Sequence, residues 1–95
     1  MYVGYEQVAA TAAVKTVAAL TVPANATHAE LQARTAGVSF TMDNTTNPTA
    51  NTGIVLLITE PPKLFLIEDI LRIRFLRQAA VDAALDIHYI AGRDV

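Results

Sequence analysis

Few side chains in this chain are of types that could do chemistry: His28, His88, the adjacent carboxylates Glu68 and Asp69, and scattered serine and threonine hydroxyls. A histidine metal site needs a third and usually a fourth ligand. Only Asp86 stands at obvious spacing, two residues before His88. Both histidines fall on faces marked as wet by the alternation of polar and apolar residues, so they read as solvated or hydrogen-bonded surface groups. A general acid and base must converge on one bond, whereas adjacent residues at a turn splay apart. Glu68 and Asp69 therefore read as turn chemistry. The hydroxyls lack a GxSxG elbow, and neither a Walker loop nor a GxGxxG run is present. Cysteine is absent, which removes disulfides and thiolate ligands. The expectation is a protein that is not an enzyme, uses no cofactor and works through its surfaces.

Three groups are candidates for such surfaces. Arg72, Arg74 and Arg77 cluster on one predicted strand. They can meet an acidic partner with the planar geometry of guanidinium, or simply blunt an edge strand with charge. Tyr2, Val3 and Tyr5 read either as an exposed aromatic arm or as the first core strand. The segment Asp43 to Gly53 is all turn chemistry: Asx side chains, one proline and a closing glycine. It is long enough to be a functional loop or a solvated connector. The candidate contact residues are Tyr2, Tyr5, Asn44, Asn47, Pro48, Asn51, Arg72 and Arg74.

The elements that must position these groups are strands. From Ala26 to Asp43, two runs alternate and meet at Thr35-Ala36-Gly37. Ala29, Leu31 and Ala33 oppose His28, Glu30, Gln32 and Arg34; then Val38, Phe40 and Met42 oppose Ser39, Thr41 and Asp43. A period of two is a strand with one wet face, and the short Gly-containing connection predicts a β-hairpin. A second hairpin is predicted near the end. There Leu71, Ile73 and Phe75 alternate with arginines, and Leu85, Ile87 and Tyr89 alternate with Asp86 and His88, around a bend at Gln78–Asp82. That pairing would set Arg74 opposite Asp86 and Arg72 near His88. Ile54–Ile58 is a continuous apolar run, as for a strand buried on both faces, and Pro61-Pro62 follows it. Lys63–Ile67 starts another strand, ended by a turn at Glu68-Asp69-Ile70. Residues 5–22 mix alanine, which favours helix, with Thr and Val, which favour strands. They are read as two short strands, Tyr5–Thr11 and Lys15–Val22. Ala91–Val95 reads as a polar tail.

The totals set the scale. Ninety-five residues make one domain, residues 1–95. Over half the residues are hydrophobic, but many are alanine, and only 6% are aromatic. The core is therefore thin, and self-association or a partner chain is expected to add burial. A net charge of −2 argues against a sequence-independent nucleic-acid binder. No apolar run reaches the ~18–20 residues of a membrane span, and Met1–Glu6 lacks the pattern of a secretory signal. A soluble protein made in the cytoplasm, without a membrane partner, is expected. Seven or eight short strands with regular turn signals predict an all-β fold, an antiparallel β-sandwich or jelly-roll-like barrel.

Several segments resemble small virion proteins of tailed bacteriophages. Val22-Pro23-Ala24-Asn25-Ala26-Thr27-His28-Ala29-Glu30-Leu31-Gln32-Ala33 looks like that group's Pro-x-x-Ala strand. It is followed by the aromatic strand Val38–Met42, the Thr/Pro/Asp loop Asp43–Thr52 and the Gly-led apolar strand Gly53–Ile58. Ile73–Arg77 and Leu85–Tyr89 are similar to its closing pair of strands. The resemblance implies a structural protein located in the virion. A capsid decoration (cement) protein on the major capsid protein is the first reading, homo-oligomeric and without cofactor. A tail or head–tail accessory protein is the second. A cellular carbohydrate- or ligand-binding β-sandwich is the rival from another class, and would show exposed aromatic platforms with polar neighbours.

Overall fold

Ala29, Leu31 and Ala33 are buried and the residues between them are not, so His28–Arg34 is a strand with one face on the core. The same reasoning organises the rest of the computed structural model, which describes residues 1–92. In chain order the strands are β1 (Tyr2–Ala10), β2 (Lys15–Thr16), β3 (His28–Arg34), β4 (Val38–Thr41), β5 (Ile54–Leu56), β6 (Lys63–Leu66), β7 (Arg74–Arg77) and β8 (Ala83–Ile90). A 3-10 turn, Val17–Ala19, follows β2, and a one-turn helix α1, Ile67–Ile70, follows β6.

The strands form two four-stranded antiparallel sheets, ordered β1-β8-β3-β6 and β2-β7-β4-β5. The chain changes sheet at every connection except β4 to β5. Eight strands in this order make a jelly roll, a double-sheet antiparallel sandwich. Leu31, Leu85, Ile87 and Tyr89 of the first sheet meet Val38, Phe40, Leu56 and Phe75 of the second in one buried cluster. Phe40 and Phe65 touch edge to face across the layers, with ring centroids 5.6 Å apart. The Tyr89 hydroxyl, buried, donates to Glu6 Oε2 at 2.6 Å, and the Thr21 amide donates to the same oxygen. Burial first, and the Glu6 carboxylate second, raise the Tyr89 phenol far above its ordinary value.

Both expected hairpins are instead arches between sheets. β3 pairs with β8 and β6, and β4 pairs with β7 and β5. The turn at Thr35-Ala36-Gly37, with Thr35 at φ 74°, carries the chain across the core rather than back along the same sheet. β7 and β8 are likewise in opposite sheets. Alternation fixes which side of a strand is apolar, but both walls of a sandwich present apolar sides to the same interior. Arg74 therefore faces Thr41 and Thr16 in its ladders, not Asp86, and Arg72 is not beside His88. Ile54–Ile58 is also corrected. Only Ile54–Leu56 is strand, it forms a sheet edge, and Ile54, Leu57 and Ile58 are 45%, 44% and 52% exposed. An apolar run records side-chain type and not the number of neighbouring strands.

The first two strands exist, although the second is cut to Lys15–Thr16 before the 3-10 turn. The expected polar tail is described only as far as Gly92; its last three residues lie outside the described part.

Candidate interaction face

The outer face of the first sheet is built in cross-strand rows. Tyr2, Ile90, His28 and Leu66 form one row; Tyr5, His88, Glu30 and Leu64 form the next. Gln7, Asp86 and Gln32 form a third, and Ala9, Ala84 and Arg34 a fourth. Tyr2 and Tyr5 are three residues apart, which in a regular strand would place them on opposite faces. They share a face because the β1–β8 register slips between Tyr2 and Gly4. A bulge of this kind re-aims the side chains beyond it. Both tyrosine rings meet His88, Tyr2 edge-on at 5.6 Å and Tyr5 tilted at 4.7 Å. Tyr2 is 64% exposed and Tyr5 56%. The N-terminal segment is thus a paired edge strand with two faces: Tyr2 and Tyr5 are displayed outward, while Val3 and Val8 pack against the core.

Beneath these rings lies a buried carboxylate. Asp86 is 1% exposed despite its outward register, because three neighbours cover it. Asp86 Oδ1 accepts from Gln7 Nε2 at 2.8 Å and from the Tyr5 hydroxyl at 3.1 Å, while Arg34 Nε donates to Oδ2. Burial is the largest single influence on Asp86 and acts to raise its pKa. The three hydrogen bonds and the Arg34 charge together outweigh it, so the carboxyl sits below its ordinary value. Tyr5 is pushed up, by burial first and then by Asp86.

One row along, the Tyr2 hydroxyl donates to Glu30 Oε1 at 2.7 Å. That bond and the Glu30 charge hold the Tyr2 phenol above its ordinary value. Glu30, Tyr2, Leu64, Ile90 and Met1 line an open concavity of about 290 Å³. Two sides are apolar, one is aromatic and one is a carboxylate. Among the described residues, Glu30 has no cationic partner, since the ion pairs are Arg34–Asp86, Lys63–Glu60 and Arg77–Asp82. Both tyrosines are held protonated, and Asp86 is paired with Arg34. Among the described residues no group of three or more His, Cys, Asp or Glu is placed to hold a metal ion.

The second sheet treats its outer face differently. The segment between β4 and β5 folds back over it, and Ser39, fully buried, donates to the Thr49 carbonyl at 2.7 Å. Thr41 Oγ1 donates to the Thr46 carbonyl at 2.6 Å. Arg74 donates to Asn47 Oδ1 at 2.7 Å and to the Asn44 carbonyl at 2.8 Å. Asp43 begins the loop as an Asx turn, accepting from the amides of Thr45 and Thr46 and from the Thr46 hydroxyl. Those donors, led by the Thr46 hydroxyl, hold its carboxyl far below the usual range.

The expected contact residues therefore divide between opposite sides of the molecule. Tyr2 and Tyr5 lie on the first sheet, whereas Asn44, Asn47, Pro48, Asn51 and Arg74 belong to the seal over the second. Pro48 is buried, Arg74 is used within the chain, and Asn44, Asn47, Asn51 and Arg72 are exposed. A third feature joins the two sheets: the flank formed by β5 and β6, both sheet edges, with Ile54, Leu57, Ile58, Leu64 and Leu66 in solvent. Glu60 braces the connection, accepting from the Leu57 amide and pairing with Lys63 at 3.1 Å.

Glu30, Leu64, Leu66 and His88 were not among the expected contacts. The outward alternation of Glu30 and His88 is legible in the sequence, whereas the apolar run Leu64–Ile67 gives no sign that Leu64 and Leu66 face outward. The convergence of all four with Tyr2 depends on the bulge in β1 and on β3 lying beside β8. The chain has no significant match among family models, curated proteins or solved structures.

Proposed function

We propose that this chain is a non-enzymatic structural protein that docks on a larger protein assembly through the open face of its first sheet. One observation carries the reading. The second sheet's outer face is sealed by the chain's own loop, while the first leaves Tyr2, Tyr5, Leu64 and Leu66 in solvent. Exposed aromatic and apolar side chains flank the polar groups His28, Glu30 and His88 on one sheet face, a mixture of the kind found at protein interfaces. The assembly we assign is the shell of a tailed bacteriophage, with the chain as a decoration protein on the major capsid protein. Support for naming that assembly is the sequence resemblance in Val22–Ala33, Val38–Ile58 and the closing strands. A tail or head–tail position is the alternative within the same class. Self-association through the Ile54-Leu57-Ile58 flank would let several weak contacts act together.

A second reading, a carbohydrate- or ligand-binding sandwich, is favoured by the exposed rings of Tyr2 and Tyr5 with Glu30 and Gln7 beside them.

The test is to prepare particles with and without the protein and compare their resistance to heat, locating labelled protein on the particle. Loss of heat resistance without it is the expected result. Particles equally resistant without it, with label on the tail, would replace the decoration role by the tail role. Label on neither part would remove the virion reading altogether.

A further inference from the structure

We infer that the concavity between Tyr2, Glu30, Leu64 and Ile90 receives an arginine side chain from the partner protein. This inference rests on the open-face reading above and names the chemistry by which that face selects its partner. Three observations converge on it.

The first is charge. On the outer face of the first sheet, Asp86 and Arg34 neutralise one another, which leaves Glu30 as the carboxylate without a cationic partner among the described residues. Its Oε1 already accepts the Tyr2 hydroxyl, and no donor to Oε2 is present among the described residues. A cationic donor complements that oxygen.

The second is shape. Leu64 and Ile90 give the concavity apolar walls, and its volume of about 290 Å³ suits a single long side chain. The methylene stem of an arginine covers such walls while its charged head remains at the rim.

The third is the aromatic wall. The Tyr2 ring, brought to this face by the register slip in β1, stands beside Glu30. Guanidinium stacks on aromatic faces and is less strongly hydrated than ammonium, so arginine is favoured over lysine.

The experiment uses the full chain, isotope-labelled, titrated with N-acetyl-arginine amide and followed by amide chemical shifts. Expected are saturating shifts at Tyr2, Glu30, Leu64 and Ile90, with N-acetyl-lysine amide weaker. N-acetyl-citrulline amide, equal in shape but neutral, should bind about tenfold or more weakly, as for loss of a partly desolvated charge pair. Glu30→Gln keeps an acceptor for the Tyr2 hydroxyl and should remove the preference for arginine over citrulline. Its folding is checked by the dispersion of the same spectra. Equal binding of arginine and citrulline, or unchanged preference in Glu30→Gln, overturns the inference. So does the absence of shifts with arginine. If cellotriose shifts the same amides while arginine does not, the inference falls and the carbohydrate reading replaces it. If arginine fails while open-face substitutions still release the protein from particles, only the arginine inference falls; if those substitutions also have no effect, the docking reading falls with it.

Discussion

The outer faces of the two sheets solve the same problem in opposite ways. Each has polar groups on a strand surface that the core does not cover. On the second sheet, Ser39, Thr41 and Arg74 bond to the backbone and side chains of the 43–52 loop, so the face is closed by its own chain. On the first, Asp86 is closed over by Gln7, Tyr5 and Arg34 from neighbouring strands, and the outer surfaces of those covers stay in solvent. A loop laid over a sheet spends its hydrogen-bonding groups internally and becomes a poor partner surface. Side chains that bridge strands leave their apolar surfaces free. The difference predicts that changes to the sealed face, or to the buried Asp86 network, alter stability, and that changes to the exposed side chains of the open face alter binding.

The largest expected effect is at the hinge of the seal. Gly53 has φ +112°, and a Cβ there would lie 2.6 Å from the Phe40 carbonyl oxygen. Gly53→Ala must both adopt a disfavoured backbone conformation and displace β4. A loss of about 3 kcal/mol is expected from these combined effects, measured by urea unfolding. A loss below about 0.5 kcal/mol, the scale of neutral surface changes, would mean the loop is not held against β4, and the contrast between the faces would collapse.

Next in size is the buried carboxylate of the open face. Its folded pKa lies below the ordinary 3.8, so the ionised form is the one the fold favours. The stabilisation is complete above the unfolded value and is lost as pH falls through the lower folded value. Asp86→Asn should destabilise by about 1–3 kcal/mol at neutral pH, the cost of disrupting a buried, multiply bonded acceptor. It should also flatten the decline in stability below pH ~4, the region of an unperturbed aspartate. Equal acid sensitivity in wild type and variant would show that the network contributes nothing in the ionised state.

Ser39→Ala should cost about 1 kcal/mol, the net worth of one hydrogen bond, and speed amide exchange at Thr45, Thr46 and Thr49. Those amides are bonded within the loop, to Asp43 and Thr52, so they report whether the loop keeps its shape once its contact to Ser39 is lost. Unchanged exchange would mean the loop holds its shape without contact to the sheet.

How much of this was legible beforehand varies residue by residue. The strand character of β3, β4 and β8 followed from alternation, because a period of two survives whatever the strand is paired with. Which strand lay beside which did not follow. Val38 and Leu31 are both apolar on the inward side, and nothing in their own segments says they reach one core from opposite sheets. Ile54 and Leu57 misled for the same reason, since edge and centre differ by a neighbour supplied from elsewhere in the chain. The sequence sets Arg74 opposite Asp86 and offers it to a partner, and does not reveal its acceptors, Asn47 and the Asn44 carbonyl, because they are 27 and 30 residues away. Tyr2 and Tyr5 were noticed as aromatics, but their shared face depends on a slip of register that no local propensity encodes.

The smallest expected stability effect is also the sharpest test of the comparison. Tyr2→Gln, Leu64→Gln and Leu66→Gln each replace an exposed residue of the open face, and glutamine retains a methylene stem against the sheet. Side chains already in solvent contribute little when folded, and the unfolded chain exposes them as well. Each variant should remain within about 0.5 kcal/mol of wild type. Binding should behave in the opposite way, because aromatic and leucine side chains that become fully desolvated at an interface can each contribute more than about 1 kcal/mol. The triple variant should therefore fold normally, by circular dichroism and urea titration, yet fail to remain on particles that retain the wild type. A triple variant that unfolds would make the open face part of the structural core. One that folds and stays bound would show that exposure on this sheet does not mark the working surface, and attention would move to the Ile54-Leu57-Ile58 flank.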